Sequence, residues 1–211
     1  MKEGLEKKIK LFLLWWLLLL TAAIIGSIAK DIFPNYLYYD IMSWSLLVGY
    51  ILIVIVFLGK RYVRLSFGCI EKRWIWPAVG MSVVISVALL LALMSFFKLI
   101  DFDHLFPEAT EQMTEYAQNF YSGIAAILCG SIFAPIAEEI GFRGILLDGL
   151  LKTRCRPWLS ILISALAFGL LHGLVGFTGA FLFGIVIGWL YWRTRSIISC
   201  IIIHIVNNSV C

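Results

Sequence analysis

The chain has 211 residues, 62% of them hydrophobic and only 14% charged, with a formal net charge of +4 and a mean hydropathy of +0.96. Soluble domains hold about 45 to 50% apolar residues, so a water-soluble globule is excluded. The positive balance reads as membrane topology, and no nucleic-acid partner is expected. The five cysteines (Cys69, Cys129, Cys155, Cys200 and Cys211) are odd in number and show no CxxC spacing. They indicate neither a disulfide framework nor a zinc knuckle, and read as small apolar residues.

Lys2, Lys7, Lys8 and Lys10 precede an apolar stretch from Leu11 to about Ala29. It exceeds the signal-peptide core of about 7 to 15 residues and predicts a first transmembrane helix. A polar link over 30–40 leads to a second span, about Ile41 to Leu58. The basic loop that follows, Lys60, Arg61, Arg64, Lys72 and Arg73, belongs inside the cell under the positive-inside rule, in agreement with the basic N-terminus two crossings earlier. A third span covers about Trp74 to Phe97. Asp101, Asp103, Glu108, Glu111 and Glu115 then form an acidic link suited to the outer face, and His104 within it reads as a solvated loop histidine.

From about Asn119 to Lys152 runs a helical pattern of about 34 residues, or about 50 Å, against a hydrocarbon core near 30 Å. Such a helix must tilt, kink or leave the membrane, and Pro135, Gly141 and Gly144 are its expected bends. Lys152, Arg154 and Arg156 return the chain to the inside. Pro157 to His172 forms a fifth span, and about Leu174 to Trp192 a sixth, with Gly176, Gly179, Gly184 and Gly188 for close packing. Arg193 and Arg195 again mark the inside, and Ser196 to Cys211 is a short last span. The expected fold is an all-α, polytopic transmembrane helix bundle of about seven spans. It forms a single integral-membrane domain over 1–211, in the cell membrane, with its N-terminus cytoplasmic.

The charge inside this apolar frame is concentrated at Glu138, Glu139 and Arg143. At a bilayer centre each costs roughly 2.5 to 3.5 kcal/mol, which marks a functional site unless the three sit in water at a helix end. On a helix Glu139 and Arg143 stand at i and i+4 as an ion pair, and Glu138, about 100° away, is left for chemistry. Counted from the basic residues at about 1.5 Å per residue, Glu138, His172 and His204 reach about 21, 22 and 13 Å into the membrane. His204 and Asn208 share a helix face, beside Asn207. Carboxylate plus imidazole can activate water for hydrolysis, and His204 with Asn208 can donate to a developing oxyanion. The same Glu138, His172 and His204 also make a plausible zinc set with an open position. No HExxH or GxSxG occurs, and neither Ser131 nor Ser164 has a base near it in sequence. Blander readings stand beside these: an interhelical hydrogen bond for a buried His, a cap for the asparagines, packing for Phe142 and Phe168.

Taken in order, Glu138-Glu139-Ile-Gly-Phe-Arg143, Phe168-Gly-Leu-Leu-His172 and His204-Ile-Val-Asn-Asn208 resemble the EExxxR, FxxxH and HxxxN motifs of the CPBP intramembrane peptidases. That family comprises CAAX proteases and bacteriocin-processing enzymes, and is also called the Abi family. The resemblance covers about Gly123 to Cys211, and the first three spans are similar only as generic membrane helices. It implies an endopeptidase acting on a membrane-associated peptide or protein, in contact with membrane lipid. Glu138 would be the base that activates water with His172, Glu139 and Arg143 the supporting pair, and His204 and Asn208 the oxyanion site. Both a metalloprotease and a metal-free glutamate mechanism are attached to the family. The metal-free form is favoured here, because no ligand beyond Glu138, His172 and His204 is evident. The short chain looks like bacterial members; eukaryotic CAAX enzymes are longer, so prenyl-protein processing is not carried over. The competing readings are a non-catalytic immunity or scaffold protein that sequesters a bacteriocin-like peptide, and an ion or proton carrier. The carrier is disfavoured because the polar groups do not continue across the membrane.

Overall fold

The computed structural model describes residues 2–32, 35–59, 62–63 and 127–210, with scattered positions between 77 and 114. The expected basic loop over 60–73, the third span, the acidic link and the first residues of the long helix lie mostly or wholly outside the described residues. Among those described, every regular element is helical and no strand occurs.

Helix α1, Lys2–Ile32, has a charged first part followed by an apolar run from Leu11 and stops two residues before Pro34, and α2, Asn35–Gly59, starts directly after that proline and ends on a glycine. Helix α3 occupies residues 129–151. Helix α4, Pro157–Leu171, begins on proline, and Arg156 before it is extended at φ −64° and ψ 137°, as a residue ahead of proline prefers. Helix α5, Gly173–Thr194, ends where Arg195 turns left-handed at φ 52° and donates its N–H to the Tyr191 carbonyl at 2.8 Å. Helix α6, Ile197–Val210, is capped by Ser196, whose hydroxyl accepts the Ser199 N–H at 3.2 Å.

The expected bends in α3 are replaced by something else. Pro135 sits near the start of the α-helical segment Ala134–Glu139, inside α3, where the backbone changes from a π turn to an α turn. The backbone widens into π turns on either side, over Cys129–Phe133 and Ile140–Leu147, before a last α turn, Asp148–Leu151. Gly141 and Gly144 therefore do not break the helix. They lie inside a wide turn, where their missing side chains make room for neighbours. A Cβ on Gly141 would come within 2.5 Å of the Trp15 ring, and one on Gly144 within 2.7 Å of Ile197.

Helix α3 runs through the middle, against α1, α2, α4 and α6. Helices α1 and α2 cross where Ala22 faces Gly49. Helices α4 and α5 form an antiparallel hairpin with the single residue His172 between them. Gly184 lies close against Ala165 and Gly188 against Ile161, the small-residue contact that lets membrane helices approach. The core is fully buried at Trp15, Phe57, Phe142, Phe168, Ile187 and Leu190. Outward faces are apolar as well: Leu13, Leu17 and Ile24 on α1 and Trp44, Leu52 and Ile55 on α2 are exposed, which suits lipid as the surrounding solvent.

Among the described residues two stretches are long and apolar enough to cross a bilayer, Glu6–Ile25 and Ile41–Gly59, and Pro157–Leu171 and Ile197–Ser209 are shorter apolar helices. Seven spans are more than these helices show.

Candidate active site

Charge enters the core of the bundle at the junction between the α segment Ala134–Glu139 and the wide turn Ile140–Leu147. Glu139 and Arg143 are both essentially inaccessible, at 0% and 1% exposure, with Arg143 Nη1 3.0 Å from Glu139 Oε1. The contact is an ion pair without hydrogen-bond alignment, since neither Nη1 nor Nε of Arg143 has a hydrogen-bond partner among the described residues. Arg143 Nη2 instead donates to the Gly184 carbonyl at 3.4 Å. The guanidinium also lies 4.8 Å from the centroid of the Phe168 ring, within cation–π range.

His204, from the buried face of α6, completes the arrangement. Its Nδ1–H donates to the same Glu139 Oε1 at 2.8 Å, while its Nε2 stands 3.6 Å from Glu138 Oε2. One imidazole thus bridges two carboxylates, of which only Glu139 is answered by Arg143. The charges balance in one way that keeps both carboxylates ionised: two negative groups against Arg143 and a protonated His204. If His204 is neutral, Glu138 must hold the proton or remain uncompensated, which burial opposes.

His172 occupies the apex of the α4–α5 hairpin and is exposed. Its Nδ1–H donates to the Phe168 carbonyl at 2.9 Å, which leaves Nε2 as the acceptor nitrogen of the neutral ring. It stands within electrostatic reach of Glu138. Phe168 joins the two histidines, with ring centroids 4.5 Å from His172 and 5.8 Å from His204.

The sequence-predicted residues divide accordingly. Glu138, Glu139, Arg143 and His204 are brought into one cluster, and His172 stands at its edge. Asn208 is exposed and donates its side-chain N–H to the Gly130 carbonyl at 3.0 Å; it shares a helix face with His204 but ties α6 to the start of α3. Among the described residues no group of three His, Cys, Asp or Glu side chains is placed to hold a metal ion, so Glu138, His172 and His204 do not stand as a metal set in this arrangement, in which His204 lies between the two glutamates.

Two contributors escaped the sequence reading: Phe183, whose ring lies tilted against His204 with centroids 4.8 Å apart, and Trp15, which donates its indole N–H to the Ala137 carbonyl at 2.9 Å. Ser164, which the sequence leaves without a base, donates its hydroxyl to the Phe142 carbonyl at 3.2 Å. The only signal for Trp15 was chemical: a buried indole N–H needs an acceptor.

Residues 120–210 match the family model described as type II CAAX prenyl endopeptidase, Rce1-like. The matched segment is therefore similar to the CAAX protease family that the three motifs resemble. That family is a membrane-embedded protease family, and the matched segment holds every member of the charged cluster, whereas α1 and α2 lie outside it. No curated protein and no solved structure matches the chain.

Proposed function

We propose that the chain is an intramembrane endopeptidase that hydrolyses a peptide bond of a membrane-associated peptide or protein, in a bundle of about seven spans with the N-terminus cytoplasmic. The observation that carries this reading is the position of His204 between Glu138 and Glu139, with Arg143 balancing only the second. Glu139 fixes the His204 ring through Nδ1–H, so that Nε2 faces the reacting side. Glu138 takes a proton from water as that water attacks the scissile carbonyl carbon, with His172 Nε2 orienting the water. The oxygen of the former carbonyl gathers negative charge and is met by the protonated Nε2 of His204 and by the second N–H of the Asn208 amide. Collapse breaks the C–N bond, and the leaving amine takes its proton from Glu138, which restores the starting state. The family description brings prenylated C-terminal peptides forward as one substrate class beside unmodified membrane-proximal peptides.

The test is cleavage of both peptide classes by purified protein in detergent, for wild type, Glu138→Gln and His172→Ala. Loss of the general base is expected to lower the rate about 10²- to 10⁴-fold, with the thermal midpoint of Glu138→Gln close to wild type. Activity should persist in chelator. Cleavage by Glu138→Gln at the wild-type rate would overturn the peptidase reading and return the cluster to a binding or immunity role.

A further inference from the structure

The turn that carries the two glutamates is held from outside the matched segment, by one face of α1. Lys8, Phe12 and Trp15 lie at i, i+4 and i+7 on that helix and all meet α3. Trp15 is 0% exposed, and its N–H reaches the carbonyl of Ala137, the residue immediately before Glu138. Its ring fills the space left by the missing side chain of Gly141, two residues after Glu139. It also meets the Phe142 ring edge to face at 5.3 Å, and Phe142 meets Phe168 at 5.0 Å. The indole therefore grips the glutamate turn on both sides and supports the aromatic floor under His172 and His204. Further along α3, Lys8 Nζ donates to the Gly144 carbonyl at 3.0 Å and pairs with Asp148 at 3.0 Å.

We propose that Trp15 is a positioning residue for Glu138, holding the carboxylate at its working distance from His204 through the hydrogen bond to Ala137 and the ring seat at Gly141. The proposal rests on the peptidase reading for its kinetic consequence. The Ala137 carbonyl accepts the Ile140 N–H where the regular turn gives way to the wide one, and side chains add donors at Ala137, Phe142 and Gly144. Of these donors, Trp15 acts next to the catalytic glutamate. Its removal lets the turn relax toward a regular helix, which rotates Glu138 relative to His204.

The discriminating pair is Trp15→Phe, which keeps an aromatic ring but loses the N–H, and Phe12→Leu. Phe12 stacks on Trp15 at 5.4 Å and against Phe142 at 5.7 Å, so its loss disturbs the same aromatic cluster without touching Ala137. In full-length protein, Trp15→Phe is expected to lower kcat about 10- to 100-fold, the scale of a small misplacement of reacting groups, with KM within about 2-fold. Phe12→Leu is expected to keep kcat within about 3-fold of wild type. Amide hydrogen exchange over residues 138–143 is measured on the same preparations and needs no turnover. Trp15→Phe should speed it about 10-fold or more, while α4 and α5 exchange as in wild type and Phe12→Leu leaves the segment unchanged. Unchanged exchange and kcat in Trp15→Phe would overturn the proposal, and so would equal losses in the two variants. If wild type cleaves no faster than Glu138→Gln, the peptidase reading falls, and the exchange measurement alone decides whether Trp15 holds the glutamate turn.

Discussion

Glu139 carries two obligations, since the same oxygen faces Arg143 and receives the His204 N–H. Breaking a buried pair by removing one partner costs about 3 to 5 kcal/mol, because the other charge is left uncompensated. Glu139→Gln is therefore expected to lower stability by about that amount, read as a drop in the thermal midpoint in detergent. Arg143→Met in the same background should recover part of it, since the lone cation is gone; a double variant no more stable than the single would contradict the pairing. Glu138→Gln lacks this liability because Arg143 does not answer Glu138. The i, i+4 spacing made the Glu139–Arg143 contact legible in the sequence. The role of His204 was not legible in the same way, because which carboxylate faces which ring nitrogen depends on how α6 is rotated against α3, and spacing along one helix says nothing of that.

For the described helices, apolar length and flanking charge were local signals: proline at the start of α4, basic residues at the ends of α3 and α5, and the apolar run of α1. The state of α3 was not local. Pro135, Gly141 and Gly144 mark places where a helix can depart from regularity, but they do not distinguish a kink from a widened turn. What decides is the neighbour that occupies the space, and Trp15 lies more than a hundred residues earlier in the chain. Gly141→Ala therefore adds a methyl group where the indole already sits. Forcing extra volume into a filled core costs typically about 1 to 3 kcal/mol. The expected outcome is a lower thermal midpoint together with a changed Trp fluorescence, and Trp15→Leu should partly relieve Gly141→Ala by vacating the seat.

At the scale of the whole molecule, the buried and exposed surfaces are both apolar, so composition revealed a membrane protein but could not tell an inner face from an outer one. The hairpin gives a better handle. Its two open ends carry Arg154 and Arg156 before α4, and Arg193 in the last turn of α5 with Arg195 just after it, and Lys8, Asp148 and Lys152 gather where α1 meets the end of α3. Basic residues thus mark one end of this hairpin, while His172 marks the other.

That separation sets a reach. Helix α4 has 15 residues, so its apex lies about 22 Å from the basic end at 1.5 Å per residue. An extended peptide advances about 3.3 Å per residue, so on the peptidase reading a substrate tethered at the basic end would need about seven residues of free chain to bring its scissile bond to the level of His172. On that reading a folded cargo held close to its anchor would be out of range, and an unfolded tail would not. In a series of peptides with one apolar anchor and spacers of increasing length, cleavage should begin near that spacer length. Equal cleavage of the shortest members would mean that substrate enters from elsewhere. A one-residue turn between two helices would in this way serve as a ruler, selecting substrates by how much free chain they can offer.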